Sequence, residues 1–198
     1  MRPIQIFASL SFLWLFVACG SPAPDPTLYL LRAEPTEGSA QIASPIRVGL
    51  GRLVVAPYLL ASQGIVVETA VGEVHAARLH QWAEPLQAGL RWYLRGQIGR
   101  ALGYQMGGAL TDFADWDYTI DVFIGRLHGT MAGTAHLEAA YVIRSTSPRA
   151  LYDFRFGKSE QLAEEGYSAL VDAERRLLDG LAESIAGALQ EIAAPTSE

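Results

Sequence analysis

The sequence of 198 residues contains one cysteine, which excludes an intramolecular disulfide and any cysteine-based zinc cluster. Charge is sparse, at 18% of residues, and basic charge is the scarcer sign: 15 Lys and Arg stand against 21 Asp and Glu, a formal net charge of -6. The long basic stripe that neutralises phosphates is missing, so nucleic acid is not expected as a partner. Half of the residues are hydrophobic, too many for a disordered or collagen-like chain. The length suffices for one domain with its own core and not for two of ordinary size.

Motifs for catalysis are equally scarce. His75 and His80 lack an HExxH context, and His128 and His136 flank a glycine-rich turn; all four are expected at the surface or at strand edges rather than on a metal. Asp112, Asp115, Asp117 and Asp121 form an acidic cluster without the closing Glu of a calcium loop, so a solvated turn running into a strand is expected. Gly166-Tyr167-Ser168-Ala169-Leu170 lacks the second glycine of a nucleophile elbow, and Gly49-Leu50-Gly51 lacks the third glycine of a dinucleotide loop. The aromatics Trp82, Trp92, Tyr93, Tyr104, Trp116 and Tyr118 fall mostly at core-facing positions, with a ligand groove as the alternative. No catalytic residue, metal or cofactor is expected.

What is present begins at the N-terminus. Arg2 is the only charge in the first 24 residues and precedes an apolar run from Ile4 to Ala18. That run is shorter than the roughly 20 residues that span a bilayer as a helix, and Gly20-Ser21-Pro22 follows it, so residues 1–18 read as a secretory signal. Phe16-Val17-Ala18-Cys19 resembles the bacterial lipobox. The resemblance implies cleavage between Ala18 and Cys19, and a covalent N-acyl and S-diacylglycerol lipid on Cys19. With Gly20 rather than Asp after the cysteine, it also implies sorting to the periplasmic face of the outer membrane. Two or more acyl chains anchor stably, at about 0.8 kcal/mol per buried CH2. Residues 19–26 carry three prolines and should form a semi-extended tether of about 3 Å per residue.

Beyond the tether, the pattern predicts strands at Thr27–Leu31, 46–50, 53–55, 64–68 and 74–79, with a surface loop over 32–45. The period then changes: Leu86, Leu90, Tyr93/Leu94, Ile98 and Leu102 mark an amphipathic helix from Glu84 to Leu102. Pro85 suits its first turn, and Glu84 sets a negative charge at its positive end. Gly96, Gly99 and Gly103 should mark close packing or the helix end. Three more strands are expected over 117–124, 134–144 and 151–157, the first two joined through 129–133. A closing helix runs from near Tyr167 to Ile192, with Glu174 among the charges assigned to its wet face. The order predicts a single α+β domain over 27–193: a mixed or mostly antiparallel sheet with two long amphipathic helices on one side, followed by a tail at 194–198.

Several of these segments together resemble one family. Thr27-Leu28-Tyr29-Leu30-Leu31, Ile46-Arg47-Val48-Gly49-Leu50, Pro57-Tyr58-Leu59, Gly64-Ile65-Val66 and above all Gln81-Trp82-Ala83-Glu84-Pro85-Leu86 are similar to the PqiC/YmbA family of ABC-type transport auxiliary lipoproteins. The later segments Asp117–Val122 and Gly133–Ile143 fit as well. The resemblance implies a non-enzymatic accessory subunit of an MCE-type intermembrane lipid transport system. It would sit at the outer membrane with an MCE-domain protein as partner and phospholipid as possible cargo, and could itself form a homo-oligomer. For Pro57, Tyr58, Leu59, Trp82, Ala83, Glu84, Pro85 and Leu86 a structural role is expected, with partner binding as the alternative. A lipid-binding carrier and an envelope hydrolase are the competing functions.

Overall fold

A computed structural model describes residues 24–33, 46–103, 106 and 115–194, and its architecture is organised around one long strand. The candidate processing and lipidation positions Ala18 and Cys19, with Tyr104 and Asp112, lie outside the described residues. In chain order the elements are β1 (Thr27–Tyr29), β2 (Val48–Val55), a 3-10 turn (Pro57–Leu60), β3 (Gly64–Ala70), β4 (Glu73–Trp82), α1 (Leu86–Leu102), β5 (Tyr118–Thr130), β6 (Thr134–Ser145), β7 (Ala150–Gln161) and α2 (Tyr167–Ala193).

β5 alternates Ile120, Val122 and Ile124 towards the core with Thr119, Asp121 and Phe123 away from it, the period of two that a pleated strand imposes. One edge of β5 pairs antiparallel with β6, and β7 adds beyond β6 in the same sense. The other edge is shared by two strands in line. β2 runs parallel along the first half, from Val48 opposite Tyr118 to Val55 opposite Ile124, and β3 joins parallel at Val67 opposite Gly129. β4 returns antiparallel to β3, and β1 lies parallel to β4 at the margin. The sheet is open and mixed, in the order β1-β4-β3-β5-β6-β7 with β2 attached to β5. α1 and α2 pack on each other and on one face of the sheet, and a single cluster of buried side chains fills the space. This is the expected α+β arrangement.

The differences from expectation are local. The two strands expected at 46–50 and 53–55 are one, Val48–Val55, bent by a bulge in which three residues of β2 span two of β5: Leu50 faces Ile120 and Leu53 faces Val122. The carboxylate of Asp121 reaches into the bulge, accepting a hydrogen bond from the Arg52 amide at 2.7 Å and pairing with Arg144 at 3.0 Å. A Cβ on Gly51 would collide with that carboxylate and lie 2.7 Å from the Thr119 methyl, so any larger residue must displace the Asp121 side chain from the bulge. β5 continues past 124 to Thr130, into the first two residues of the stretch assigned to a turn, because Gly129 still pairs with Ala135 of β6.

α1 starts at Leu86, with Pro85 as its N-cap, and ends at Gly103 in the left-handed conformation. Of the other two glycines, Gly96 lies against Ala33 and Gly99 is buried. Polar side chains on α1 close the free edge of β2: Gln87 donates to the Leu53 carbonyl at 2.6 Å, and Arg91 donates to those of Leu50 and Gly51 at 2.9 and 2.6 Å.

α2 buries the expected stripe Leu170, Leu177, Leu178, Leu181, Ile185 and Leu189. Glu174 belongs to this face and not to the wet one: its position between Leu170 and Leu178 leaves it 1% exposed. Its Oε2 has no hydrogen-bond partner, and burial pushes its carboxyl up to about 8. The native state therefore keeps this proton where the unfolded chain has lost it.

Two predictions follow from these contacts. Gly51→Ala should lower unfolding free energy by about 1–3 kcal/mol, while Gly157→Ala, where no atom lies within 4 Å of the added carbon, should change it by less than about 0.5 kcal/mol in urea titration. The contribution of Glu174 is fully present below pH 4.5 and is lost as pH rises through about 8, with a slope of about 1.4 kcal/mol per unit. Glu174→Gln should remove that component, and paired melting curves at pH 5 and pH 8 measure it.

Candidate functional site

The Trp82–Leu86 segment is a three-way junction. Trp82 ends β4 and is 4% exposed, and its amide donates to the Gln63 carbonyl at 2.8 Å. The Ala83 amide donates to the Tyr29 carbonyl at 2.7 Å, fastening β1. Glu84 is held in a two-pronged pair by Arg32, with Nη2 2.9 Å from Oε2, and so serves the N-terminal segment. The Pro85 carbonyl accepts the amides of Ala88 and Gly89, and Leu86 sends the first helical side chain into the core. Leu31, 2% exposed, belongs to the same buried cluster. These residues join sheet margin, helix start and N-terminal strand.

Pro57, Tyr58 and Leu59 form the break between β2 and β3. Pro57 opens the turn, Leu59 is 1% exposed and fills the core, and Tyr58 turns to the sheet face away from the helices. There its ring lies 6.1 Å from that of His128, its hydroxyl donates to the Gly125 carbonyl at 3.4 Å, and burial raises its phenol.

Tyr58 covers a polar cluster that the sequence patterns did not reveal. Arg126 donates to Glu68 at 2.7 Å, to Glu138 at 3.4 Å and, through Nε, to His128 Nε2 at 3.1 Å. Because His128 Nε2 accepts, Nδ1 carries the proton and donates to the Gly129 carbonyl at 3.0 Å. His128 is buried, whereas a surface or edge position was expected. Across the hairpin His136 lies 6.4 Å from it and shares a 2.6 Å hydrogen bond with Ser159. Burial, then Arg126 and His128, hold His136 below the usual imidazole range. The one available signal was register: β5 and β6 place Arg126 opposite Glu138 and His128 opposite His136.

The remaining candidates separate. His80 stacks on Tyr167 at 4.3 Å and bonds the Tyr29 hydroxyl. Asp117 accepts from the Arg47 amide at 2.7 Å, which keeps its carboxyl below the usual range. Trp82 and Tyr93 are core residues, Trp92 is exposed, and the Trp116 ring covers Gly49. No group of three His, Cys, Asp or Glu among the described residues could hold a metal ion, and no helix among them is long and apolar enough to cross a membrane.

Among the described residues, two cavities adjoin the helices. One, of about 440 Å³, runs between α1 and α2 beside Gln97, Asp179 and Glu183. Tyr93 donates to Asp179 at 2.9 Å there; burial and this bond push the phenol up to about 12, and burial raises Asp179. The other, of about 720 Å³, lies between one end of the sheet and the first turn of α2.

Over residues 29–186 the chain matches the family model described as ABC-type transport auxiliary lipoprotein component, and it belongs to that family. The family is one of auxiliary transport components anchored in the cell envelope as lipoproteins. The fold is similar to the crystal structure of an uncharacterized protein, with TM-score 0.69, 19% identity and coverage of 84% of this chain and 99% of that one. It is also similar to a Xanthomonas campestris protein of the DUF330 family, with TM-score 0.64, 16% identity and coverage of 82% and 94%. Comparison with curated protein sequences returns no match.

The junction's structural role is testable. Trp82→Ala should cost about 3–5 kcal/mol of stability. Glu84→Gln, which weakens a partly exposed ion pair, should cost at most about 1 kcal/mol by the same urea titration.

Proposed function

We propose that the protein is an outer-membrane-anchored periplasmic lipoprotein. In this reading it is a non-catalytic accessory subunit of an MCE/ABC-type intermembrane lipid transport system and docks the MCE protein at the outer membrane. The family match over 29–186 carries the reading. The lipobox-like Phe16-Val17-Ala18-Cys19 and the proline-rich tether after it supply the means of attachment. Acylation at Cys19 would hold the domain roughly 20 Å from the headgroups, at about 3 Å per tether residue. Docking would then be a task for the folded surface, with phospholipid as the cargo of the assembled system.

Affinity purification of the intact protein from membranes, followed by protein mass spectrometry, tests this reading. An MCE-domain protein should co-purify and the chain should fractionate with the outer membrane. Cys19→Ala should release it to the soluble fraction and abolish incorporation of labelled palmitate. A wild-type chain found in the soluble fraction, or one that captures no MCE protein, overturns the proposal.

A further inference from the structure

The cavity at the first turn of α2 pairs an apolar wall with polar groups and has a fixed place in the fold. Its wall is built from Val67 of β3, Leu162 before α2, and Tyr167 and Leu170 of the first turn of α2, with Met131 at the mouth. Gly129 forms part of the floor: a Cβ there would lie 2.8 Å from the Leu170 methyls, so the glycine lets β5 pass directly under the helix. At about 720 Å³ the space falls within the range of small-ligand sites, roughly 300–1,000 Å³, which are characteristically apolar with a few polar groups at the rim. Here the polar lining is Thr69, His75, Thr130, Gln161, Glu164 and Glu165, the last two exposed.

Strand directions give the location. β3 is parallel to β5, with Glu68 opposite Thr130, and β7 ends opposite the start of β6, with Gln161 opposite Thr134. The β3–β4 turn, the β5–β6 turn and the start of α2 therefore share one end of the sheet. The two turns at that end carry Val71, fully exposed, and Met131, 74% exposed. β1 runs parallel to β4, from Thr27 opposite His80 to Tyr29 opposite Trp82. Chain preceding Thr27 thus points back along β4 towards the same end. His80 stacks on Tyr167, a wall of the cavity, which places the entry of the N-terminal chain one side chain away from it.

We infer that this groove binds one acyl chain of a glycerophospholipid drawn from the membrane towards which the N-terminal tether leads. Val71 and Met131 meet the lipid surface, the chain lies against Val67, Leu162 and Leu170, and the headgroup stays at the rim. Glu164 and Glu165 favour a headgroup that carries a cation, so a zwitterionic lipid is preferred over an anionic one. The inference rests on the transport-accessory reading for the source of the lipid, and the groove itself can be tested without it.

The test uses full-length protein in dodecyl maltoside micelles doped with phosphatidylethanolamine bearing a diazirine at the end of one acyl chain. After irradiation, labelled peptides are mapped by mass spectrometry. Label should concentrate in Gly129–Gly133 and Leu162–Leu170. Leu162→Trp, which fills the groove, and Met131→Asp, on an exposed turn that leaves the core intact, should each lower it by about tenfold. Leu151→Trp, exposed at the opposite end of the sheet, should leave it unchanged. A phosphatidylglycerol probe should label the groove less. Label spread in proportion to exposed apolar surface, or groove label that survives both substitutions, overturns the assignment; equal labelling by the two lipids overturns the role of the acidic rim. Capture of an MCE protein is read in a separate purification, so either proposal can fail alone.

Discussion

One edge of β5 must be covered by two strands, and the rest of the molecule follows from how the chain meets that constraint. β2 covers Tyr118 to Ile124 and β3 resumes at Gly129, so between them the chain leaves the sheet and returns in the same direction. The 3-10 turn at Pro57–Leu60 makes that excursion, and its consecutive side chains face opposite ways. Leu59 fills the helix side, while Tyr58 covers His128 on the other. The Ala56 amide still reaches the Ile124 carbonyl at 2.9 Å, so the turn begins while fastened to β5. A gap in strand pairing is thereby converted into a packed element.

Several charged side chains secure such joints. Asp121 secures the bulge of β2, Asp117 its entry, Arg126 links β3, β5 and β6, and Glu84 secures Arg32. Open edges are handled in two ways. Polar side chains of α1 occupy the carbonyls of β2, whereas β7 carries Asp153, Arg155, Lys158 and Glu160 along its length, a pattern that discourages pairing with foreign strands.

Residues whose environment is set by near neighbours were legible in the sequence. The alternation of β5 and β6 and the stripe of α2 gave the element order and the α+β class. The segments at Thr27–Leu31, Pro57–Leu59 and Gln81–Leu86 pointed to the family the chain belongs to. Partners set by distant chain were not legible. Glu84 looked like a helix-dipole charge until folding brought Arg32 to it across 52 positions. Glu174 looked wet because its neighbours Asp172, Arg175 and Arg176 are charged, yet helical geometry groups it with Leu170, Leu177 and Leu178. His128 looked like a surface or edge residue flanking a turn because Gly129 follows it, although the hairpin turns only after Thr130. The large groove was invisible for the same reason, being assembled from β3, β5, β7 and α2.

The parallel pairing of β1 with β4 has a mechanical consequence. A pull on the chain preceding Thr27, directed along the strand, loads the hydrogen bonds of the three registered pairs together in shear, whereas a perpendicular pull would open them one at a time. Behind them the buried side chain of Leu31, the Arg32–Glu84 pair and the hydrogen bond from Arg175 to the Leu30 carbonyl resist the same displacement. A three-residue strand at a sheet margin would otherwise be the weakest attachment in the fold. Its direction and backing make it a clamp suited to sustained tension on the chain preceding Thr27.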